Sequence, residues 1–312
     1  MIIISGSHRI TRVITIAPKP PYTITPHLSQ FTLRDQPTPC IYDSQARTCR
    51  RAVTWGVKEP VAYEARVVRE GWDPLIEVQT YAGSERVAER VVRHVLNTDY
   101  AYPDVNPLIN ACPGLKGILS RHPGLRPALN PSMWESLLKT IIGQQIPTRL
   151  ANRITAKLTL TLGRKLVKEG KEFYDLPTPN DILSAGTGKL REVGLSRRKA
   201  EYVLGIAKAV VREGYDLEAV AKLRPEEAVE ELRKFRGVGS WTAKLAYMAC
   251  TGNLNLLLPE DLSVSRGLKL AGCREELIDG VLPHAGLISY LAANLYESLR
   301  PRARVKRASR QS

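Results

Sequence analysis

The chain has 312 residues, 43% of them hydrophobic, which is enough for a sizeable core and argues against a disordered protein. The formal net charge of +15 at pH 7 predicts a polyanionic partner, with nucleic acid as the first candidate, although part of this charge lies in a basic tail over residues 300–312. The sequence contains neither an apolar run long enough to span a membrane nor a signal-peptide core, so we expect a cytoplasmic, intracellular protein without a membrane partner.

The first part of the chain, up to residue 84, has the composition of β-strands. Short β-branched or aromatic segments are separated by Pro and Gly, and Val61, Tyr63, Ala65 and Val67 alternate with their neighbours as on a half-buried strand. We predict an antiparallel sheet with one covered face. The predicted strands are Val13–Ile16, Tyr22–Thr25, Ala52–Val57, Val61–Arg69 and Leu75–Tyr81.

After Gly83 the apolar residues follow the period of helices. The predicted helices are Glu85–Leu96, 132–142, Thr148–Leu162, Pro179–Ser184, Arg197–Arg212, Leu217–Leu223, Pro225–Lys234, Ser240–Cys250, Leu262–Ala271 and Leu287–Leu299, with a Pro-rich connection over Tyr102–Pro113. The fold class is therefore α+β. A β-rich antiparallel N-terminal domain (1–84) precedes an all-helical body (85–299) and a basic C-terminal tail (300–312).

The five cysteines are an odd number and most are far apart in the sequence. This arrangement favours reduced thiols over a disulfide framework.

One stretch, residues 227–244, predicts a helix, a tight Gly-Val-Gly turn and a second helix. Gly237 and Gly239, on either side of Val238, permit φ > 0 and leave amide N–H groups uncovered beside the positive end of the helix that starts at Ser240. Such a hairpin is able to hold a DNA phosphate. The alternative is an ordinary αα-hairpin whose glycines only make the turn.

The stretch Phe235–Ala246, followed by the residues 257–262, resembles the hairpin and catalytic loop of helix-hairpin-helix DNA glycosylases of the 3-methyladenine DNA glycosylase II type. Residues 134–146 and the upstream 113–115 resemble the same family, and the resemblance covers roughly residues 85–300. It implies a β-rich N-terminal domain, a helical body of the HhH-GPD kind, and excision of flipped-out, alkylated purines from damaged double-stranded DNA.

The resemblance also implies roles for individual residues. No cofactor is required, but the hairpin carbonyls of Phe235 and Val238 are expected to hold a monovalent cation such as K⁺ or Na⁺. We expect the protein to act as a monomer. The residues expected to contact DNA are Gly237, Val238, Gly239, Ser240, Lys244, Gln144 and Gln145.

Asp261 follows the hairpin by about twenty residues, where the family carries its essential aspartate. A carboxylate there stabilises the oxocarbenium character that C1′ develops as the base leaves, and it orients or deprotonates the attacking water. On local signals alone, Asp261 is a carboxylate that complements the dipole of the following helix. Its neighbour Glu260 is assigned no catalytic role.

Trp241 occupies the position at which strand-cutting members of the superfamily place a lysine nucleophile, which predicts base excision alone. By resemblance Trp241 stacks on the flipped base, although a helical Trp is more often a core residue. Leu245 stands where the family type has a tyrosine, so Tyr247 and Tyr290 are candidates to complete the base pocket. Lys244 is interpreted as a phosphate contact or a solvated lysine, and less readily as a nucleophile.

Gln145 takes the place from which the family inserts a side chain into the gap left by the flipped base, where the best-known bacterial enzyme has leucine. Capping of a helix that Pro147 interrupts is an equally good local interpretation. A nearby basic stretch is expected to follow the DNA backbone or to form a solvated helix face: Lys189, Arg191, Arg197, Arg198 and Lys199.

Two other functions fit the sequence. One is a non-enzymatic helix-hairpin-helix DNA-binding module in which Asp261 only caps a helix, and the other is an 8-oxoguanine glycosylase/lyase with Lys244 as its nucleophile. Turnover of damaged DNA separates the first from an enzyme, and borohydride trapping of the protein on DNA separates the second from a hydrolytic one.

Overall fold

The computed structural model describes residues 13–274 and 284–299, so the basic tail predicted over 300–312 lies outside the described residues. The strands are β1 (Val13–Ile16), β2 (Ile41–Asp43), β3 (Thr48–Val53), β4 (Val61–Arg69), β5 (Leu75–Ala82), β6 (Arg164–Lys168) and β7 (Lys171–Asp175). The α-helices are α1 (Thr25–Phe31), α2 (Glu85–Val95), α3 (Asn106–Ala111), α4 (Lys116–Arg121), α5 (Met133–Gly143), α6 (Thr148–Leu162), α7 (Pro179–Glu192), α8 (Arg197–Arg212), α9 (Pro225–Arg233), α10 (Ser240–Thr251), α11 (Leu262–Leu270) and α12 (Ala285–Leu299).

The N-terminal strands form the predicted antiparallel sheet, in the order β1-β5-β4-β3-β2. The side chains of Tyr63 and Val78 are fully buried in its core. Helix α2 covers the same face with Val92 and Val95, which belong to the same apolar cluster. This face of the sheet is covered, as the alternating pattern of β4 predicts. The other face is also partly covered, because Phe173 of β7 packs on Ala52 and Ala62.

Two details of this sheet differ from the prediction. The segment Tyr22–Thr25 is not a strand, because Pro26 lies in the first turn of a helix that starts at Thr25, and a proline at that position favours a helix start. The predicted strand Ala52–Val57 shares only its first two residues with β3, which ends at Val53. Strand β3 pairs with the short β2, which was not predicted.

The helical body contains one β-hairpin that the prediction missed. Strands β6 and β7 are joined by Glu169 and Gly170, both with positive φ (51° and 71°), which matches the twist that a two-residue hairpin turn requires. The hairpin packs on the N-terminal sheet, where the Arg50 Nε donates a hydrogen bond of 2.9 Å to the Glu172 carbonyl. The sheet region thus includes a segment from the middle of the chain.

The remaining helices follow the predictions closely, and α6 and α8 have the predicted bounds. The predicted helix over 179–184 instead continues to Glu192 through a kink at Gly186 (φ 68°, ψ 179°). The predicted helix over 217–223 is a 3₁₀-helix, Leu217–Lys222, and the predicted connection over 102–113 contains α3.

Two apolar cores lie on opposite sides of α10. Tyr247 and Cys250 belong to a core shared with α5, α7, α8 and α9, whereas Met248 belongs to a core shared with α3, α4, α11 and α12. Trp241 and Leu245 pack against the second core. Helix α10 therefore stands between two helical lobes. Across the residues that the structure describes, no helix is both long and apolar enough to cross a bilayer.

A buried ionic network joins the sheet to α5. Arg51 donates hydrogen bonds to both carboxylate oxygens of Glu135 (3.2 and 2.8 Å) and to Asp175 Oδ1 (3.0 Å), and all three side chains are buried. Burial acts to raise the pKa of Glu135, but the charges of Arg51 and Lys139 hold it below its ordinary value. Because each member has its charge partners, the network fixes the position of α5, which leads into the site described below.

The cysteine prediction was wrong. Cys40 is bonded to Cys49 and Cys112 to Cys273, while Cys250 is a buried free thiol. The first pair meets because β2 and β3 are adjacent in the sheet, and the second because α11 ends beside α3, where Gly114 N donates to the Ala271 carbonyl at 2.8 Å. With 161 residues between Cys112 and Cys273, spacing alone gave no sign of that pairing.

Candidate active site

The predicted hairpin joins α9 to α10. Gly237 adopts φ 86°, and a Cβ on it would overlap the ring of Tyr202, so both the turn and the packing require glycine here. Val238 is buried and its N–H donates to the Phe235 carbonyl at 3.1 Å, while Gly239 is exposed. The turn is anchored by an apolar residue and presents its glycine backbone to solvent.

The first turn of α10 keeps its amide donors available. Gly239 occupies the N-cap position and has no side chain with which to cap the helix, and the first intrahelical bond runs from Ala243 N to the Gly239 carbonyl (2.9 Å). The N–H groups before Ala243 are the donors that a helix leaves without intrahelical partners. An uncapped and exposed helix start of this kind suits a phosphate oxygen.

Asp261 lies at the N-terminus of α11 and uses its two carboxylate oxygens differently. Oδ1 accepts hydrogen bonds from Ser263 N (2.8 Å) and Val264 N (3.2 Å), and Oδ2 accepts one from Trp241 Nε1 (3.0 Å). The helix-capping interpretation of Asp261 is therefore correct as far as Oδ1 is concerned. The carboxylate is also fixed against the indole that the sequence places in the base pocket, so capping and catalysis are compatible.

Lys244 Nζ lies 3.2 Å from Glu260 Oε1, and the Glu260 side chain is more exposed than that of Lys244. This ion pair fixes the loop that carries Asp261 against α10. Because the Lys244 ammonium group is engaged in this ion pair, it is not the free amine nucleophile that the lyase hypothesis requires.

The structure brings together three of the four predicted pocket residues. Trp241 and Leu245 lie one turn apart on α10 and pack, with Tyr290 of α12, against the same apolar core. The Tyr290 hydroxyl donates to the Arg126 carbonyl (3.3 Å) and lies 3.1 Å from His27 Nδ1, and burial raises the pKa of Tyr290. Burial, with a smaller contribution from Lys139, lowers the pKa of His27 to about 3, so this imidazole is neutral.

Tyr247 is separated from these residues. It is buried in the core on the other side of α10, where its hydroxyl donates to the Leu223 carbonyl at 2.9 Å. The reason is geometric, since residues six apart on a helix point in different directions, whereas Trp241 and Leu245, four apart, share a face.

The two glutamines after α5 have different environments. Gln144 Nε2 donates to the Gly237 carbonyl (2.9 Å) and to Thr242 Oγ1 (3.0 Å), so it ties the end of α5 to the hairpin. Gln145 is exposed and left-handed, with φ 54°. Of the two glutamines, Gln145 has the exposure that we expect of a side chain that inserts into DNA.

The basic stretch of α7 and α8 is mixed in character. Lys189 and Arg197 pair with Glu192 and Glu201 at 2.9 and 3.0 Å, respectively. Lys199 is half-buried and turned toward α5, as described below. A DNA-facing role is thus open to the two other exposed residues of the stretch, Arg191 and Arg198.

One pair of side chains beside the candidate site was not predicted from the sequence. Arg266 Nη1 donates to the Tyr296 hydroxyl at 2.5 Å, and its guanidinium lies 5.5 Å from the centre of that ring. The pair forms because α11 and α12 pack closely, and a Cβ on Gly267 would overlap the Ala292 carbonyl oxygen. A glycine in a helix interior was the available signal for that close approach.

The chain resembles known proteins of DNA repair. A family model described as "HhH-GPD superfamily base excision DNA repair protein" matches residues 138–278, which include the end of α5, the hairpin and Asp261. A DNA-3-methyladenine glycosylase of Bacillus subtilis is 23% identical over 58% of this chain and 61% of its own length. DNA-3-methyladenine glycosylase 2 of Escherichia coli is 27% identical over 52% of this chain and 56% of its own length.

The match is more extensive in three dimensions. A solved structure of a 3-methyladenine DNA-glycosylase from Archaeoglobus fulgidus superposes with a TM-score of 0.79 at 27% identity, covering 93% of this chain and 100% of that one. The chain spans about three-fifths of the length of the curated relatives above. The likeness therefore includes the N-terminal sheet as well as the helical lobes around α10.

Proposed function

We propose that this chain is a member of the HhH-GPD superfamily of base excision DNA repair proteins, and that it is a monofunctional DNA glycosylase that excises damaged purines, alkylated ones first, from duplex DNA. The observation that carries this proposal is the hydrogen bond between Trp241 Nε1 and Asp261 Oδ2, 3.0 Å long. It places a carboxylate and an aromatic face together, directly after an uncapped hairpin.

The proposed partner is damaged double-stranded DNA, bound by one copy of the chain in the cytoplasm. A backbone phosphate is bound by the N–H groups at the hairpin and the first turn of α10, and the positive charge of the chain raises the rate of encounter. Gln145 enters the stack as the damaged nucleotide leaves it, and the extruded base lies against Trp241. Stacking on an indole favours a base that alkylation has made electron-poor or cationic.

The reaction breaks the bond between C1′ and the base nitrogen, and the electron pair leaves with the base. An alkylated, cationic purine departs as a neutral molecule, so no general acid is needed. The Asp261 carboxylate stabilises the positive charge that develops at C1′ and accepts a proton from the water whose oxygen bonds to C1′. Trp241 and the amides of α11 hold that carboxylate in place during the step.

We propose that no cofactor is required and that the Phe235 and Val238 carbonyls hold a monovalent cation, K⁺ or Na⁺, beside the phosphate. The Phe235 carbonyl accepts one hydrogen bond, from Val238 N, and a carbonyl oxygen has a second lone pair for a cation. The ion supplies only positive charge near the phosphate, and no step of base excision passes through it.

The deciding experiment is single-turnover base release from duplexes that carry alkylated adenine, hypoxanthine or 8-oxoguanine. We expect release of alkylated purine by the native protein and a loss of about 100- to 1,000-fold in rate for Asp261→Asn, with duplex affinity retained. Asp216→Asn is the matched control, because Asp216 also caps a helix, accepting from Ala219 N at 3.1 Å, outside the site.

Each alternative function has its own outcome in this experiment. If the protein binds the duplex but releases no base from any lesion, it is a DNA-binding module and not an enzyme. Release of 8-oxoguanine together with a borohydride-trapped protein–DNA adduct would establish the lyase instead. If Asp261→Asn releases the base at the native rate, Asp261 takes no part in the reaction.

A further inference from the structure

The segment that connects α5 to α6 carries the residue proposed to enter DNA. Gln145 has φ 54°, a conformation that non-glycine residues adopt rarely, and it is exposed. A strained residue of this kind persists only where its neighbours hold the backbone on both sides. The contacts of Ile142 and Gln144 are therefore informative.

Lys199 holds this backbone from the side of α8. Its Nζ donates to the Ile142 carbonyl and to the Gln144 carbonyl, both at 2.7 Å. These oxygens lie at the C-terminal end of α5, where carbonyl groups lack intrahelical partners and a positive charge is favourable. The lysine is half-buried in doing so, and burial lowers the pKa of Lys199.

Gln144 holds the same backbone from the side of the hairpin. Its side-chain amide donates to the Gly237 carbonyl at 2.9 Å and to Thr242 Oγ1 at 3.0 Å, while its own carbonyl accepts from Lys199. The peptide unit just before Gln145 is thus fixed between α8 and the phosphate-binding turn. This arrangement sets the distance between the inserting side chain and the hairpin.

We propose that Lys199 is a positioning residue for base flipping, which fixes the backbone on either side of Gln144 so that the Gln145 side chain is aimed into the duplex before DNA arrives. The inference rests on the proposed function and extends it to a residue that does not touch DNA. Its physical basis is preorganisation, since an inserting side chain that must first be ordered loses rate without losing duplex affinity.

The test uses Lys199→Met, which removes the ammonium donors and keeps the apolar stem, and Lys199→Arg, which keeps donors. Lys157→Met is the matched control, because Lys157 Nζ donates to the Glu192 carbonyl at 2.6 Å, a lysine-to-backbone bond remote from the α5–α6 connection. Thermal melting of each variant verifies that it is folded at the assay temperature.

Two quantities are measured for each variant. One is the stopped-flow rise of 2-aminopurine fluorescence in a duplex, which reports unstacking, and the other is affinity for the same duplex. We expect Lys199→Met to slow the fluorescence rise about tenfold at unchanged affinity, Lys199→Arg to recover most of it, and Lys157→Met to behave as the native protein.

Combination with Gln145→Ala tests whether Lys199 acts through the inserting residue. If it does, Lys199→Met slows flipping no further in a Gln145→Ala background. An equal loss in both backgrounds, or an equal loss from Lys157→Met, would overturn the proposal. If Lys199→Met does not fold, Lys199→Gln, which retains a shorter donor, is expected to slow flipping about threefold, and a native rate in that variant would also overturn it.

These outcomes are distinct from failure of the proposed function. Fluorescence in a duplex without a cleavable lesion reports flipping even if the protein releases no base. Base release by the native protein together with unaltered flipping in Lys199→Met would leave the glycosylase proposal standing and remove this one.

Discussion

Within the described residues, the α7–α8 and α9–α10 units both turn at a glycine with positive φ, and they differ in how the second helix begins. The α7–α8 turn passes through Gly194 (φ 113°) and the α9–α10 turn through Gly237 (φ 86°). In the first unit Ser196 caps the helix, its Oγ accepting from Lys199 N at 3.3 Å. In the second, the cap position is Gly239, which has no side chain.

The two units also differ in the partners of the lysine that follows each turn. Lys199 points inward and binds carbonyl oxygens of the α5 end, whereas Lys244 points to the loop of Asp261 and pairs with Glu260. A glycine turn between helices therefore does not by itself leave the start of the next helix open to an anion. The state of the helix start, capped by a side chain or left open, decides whether the unit can bind an anion.

The largest expected difference between the two turns is in the stability that each loses when its glycine is replaced by alanine. Gly237→Ala forces a Cβ into the Tyr202 ring at positive φ, and we expect it to lower the free energy of unfolding by about 3 kcal/mol or more. Gly194→Ala places its Cβ 3.3 Å from the flexible Ile154 side chain, and we expect about 1 kcal/mol. Urea unfolding of the two variants measures both, and equal losses would contradict the packing difference.

The second prediction converts the open helix start into a closed one. Gly239 has φ −84°, and a Cβ there meets no neighbouring atom, so Gly239→Asp is accommodated and caps α10. Its carboxylate also occupies the phosphate site, so we expect duplex affinity to fall about 10- to 100-fold while thermal stability is kept or raised.

The matched change at the other unit is Ser196→Ala. It removes the cap of α8 and should cost about 1 kcal/mol of stability with duplex affinity unchanged. Filter binding at fixed salt compares the two variants. Affinity loss in Ser196→Ala equal to that in Gly239→Asp would mean that both turns contact DNA.

Local sequence patterns were sufficient for α2, for most of the helices from α5 onward and for the hairpin, but they did not predict α1, α3 and α4. The spacing of apolar residues and the caps predicted α6 and α8 with their bounds, and the hairpin with Asp261 was recognised because its parts lie within one continuous stretch. The β6–β7 hairpin was missed because its Glu169-Gly170 turn lies within a body that otherwise has the period of helices.

Contacts between distant segments could not be predicted in the same way. The bonds from Lys199 to the α5 carbonyls, the Cys112–Cys273 bond and the Arg266–Tyr296 pair each depend on how two helices pack, which no single stretch encodes. For Tyr247 the opposite error was made, because a contact was predicted that does not form. Its position near the hairpin in sequence suggested the pocket, but the helix turns its ring into the other core.

The third prediction concerns the indole that links the open hairpin to Asp261. Trp241→Phe keeps an aromatic face and removes the bond to Oδ2, so we expect the single-turnover rate to fall about tenfold with duplex affinity retained. Trp55→Phe is the control, since Trp55 Nε1 also donates to a carboxylate, Glu218 Oε1 at 3.2 Å, away from the site. A native rate in Trp241→Phe would show that the bond does not position the carboxylate.

The smallest expected effect belongs to Lys244, the lysine of the open unit. Its side chain is mostly covered and paired with Glu260, so it contributes to phosphate binding only when that ion pair opens. We expect Lys244→Gln to weaken duplex binding about threefold and to reduce the salt dependence of log K by less than about one unit, with base release preserved. Lys208→Gln, which breaks the exposed pair with Glu213, should leave both unchanged. If Lys244→Gln abolished turnover, the lysine would be the nucleophile after all, and the open hairpin would serve a strand-cutting enzyme.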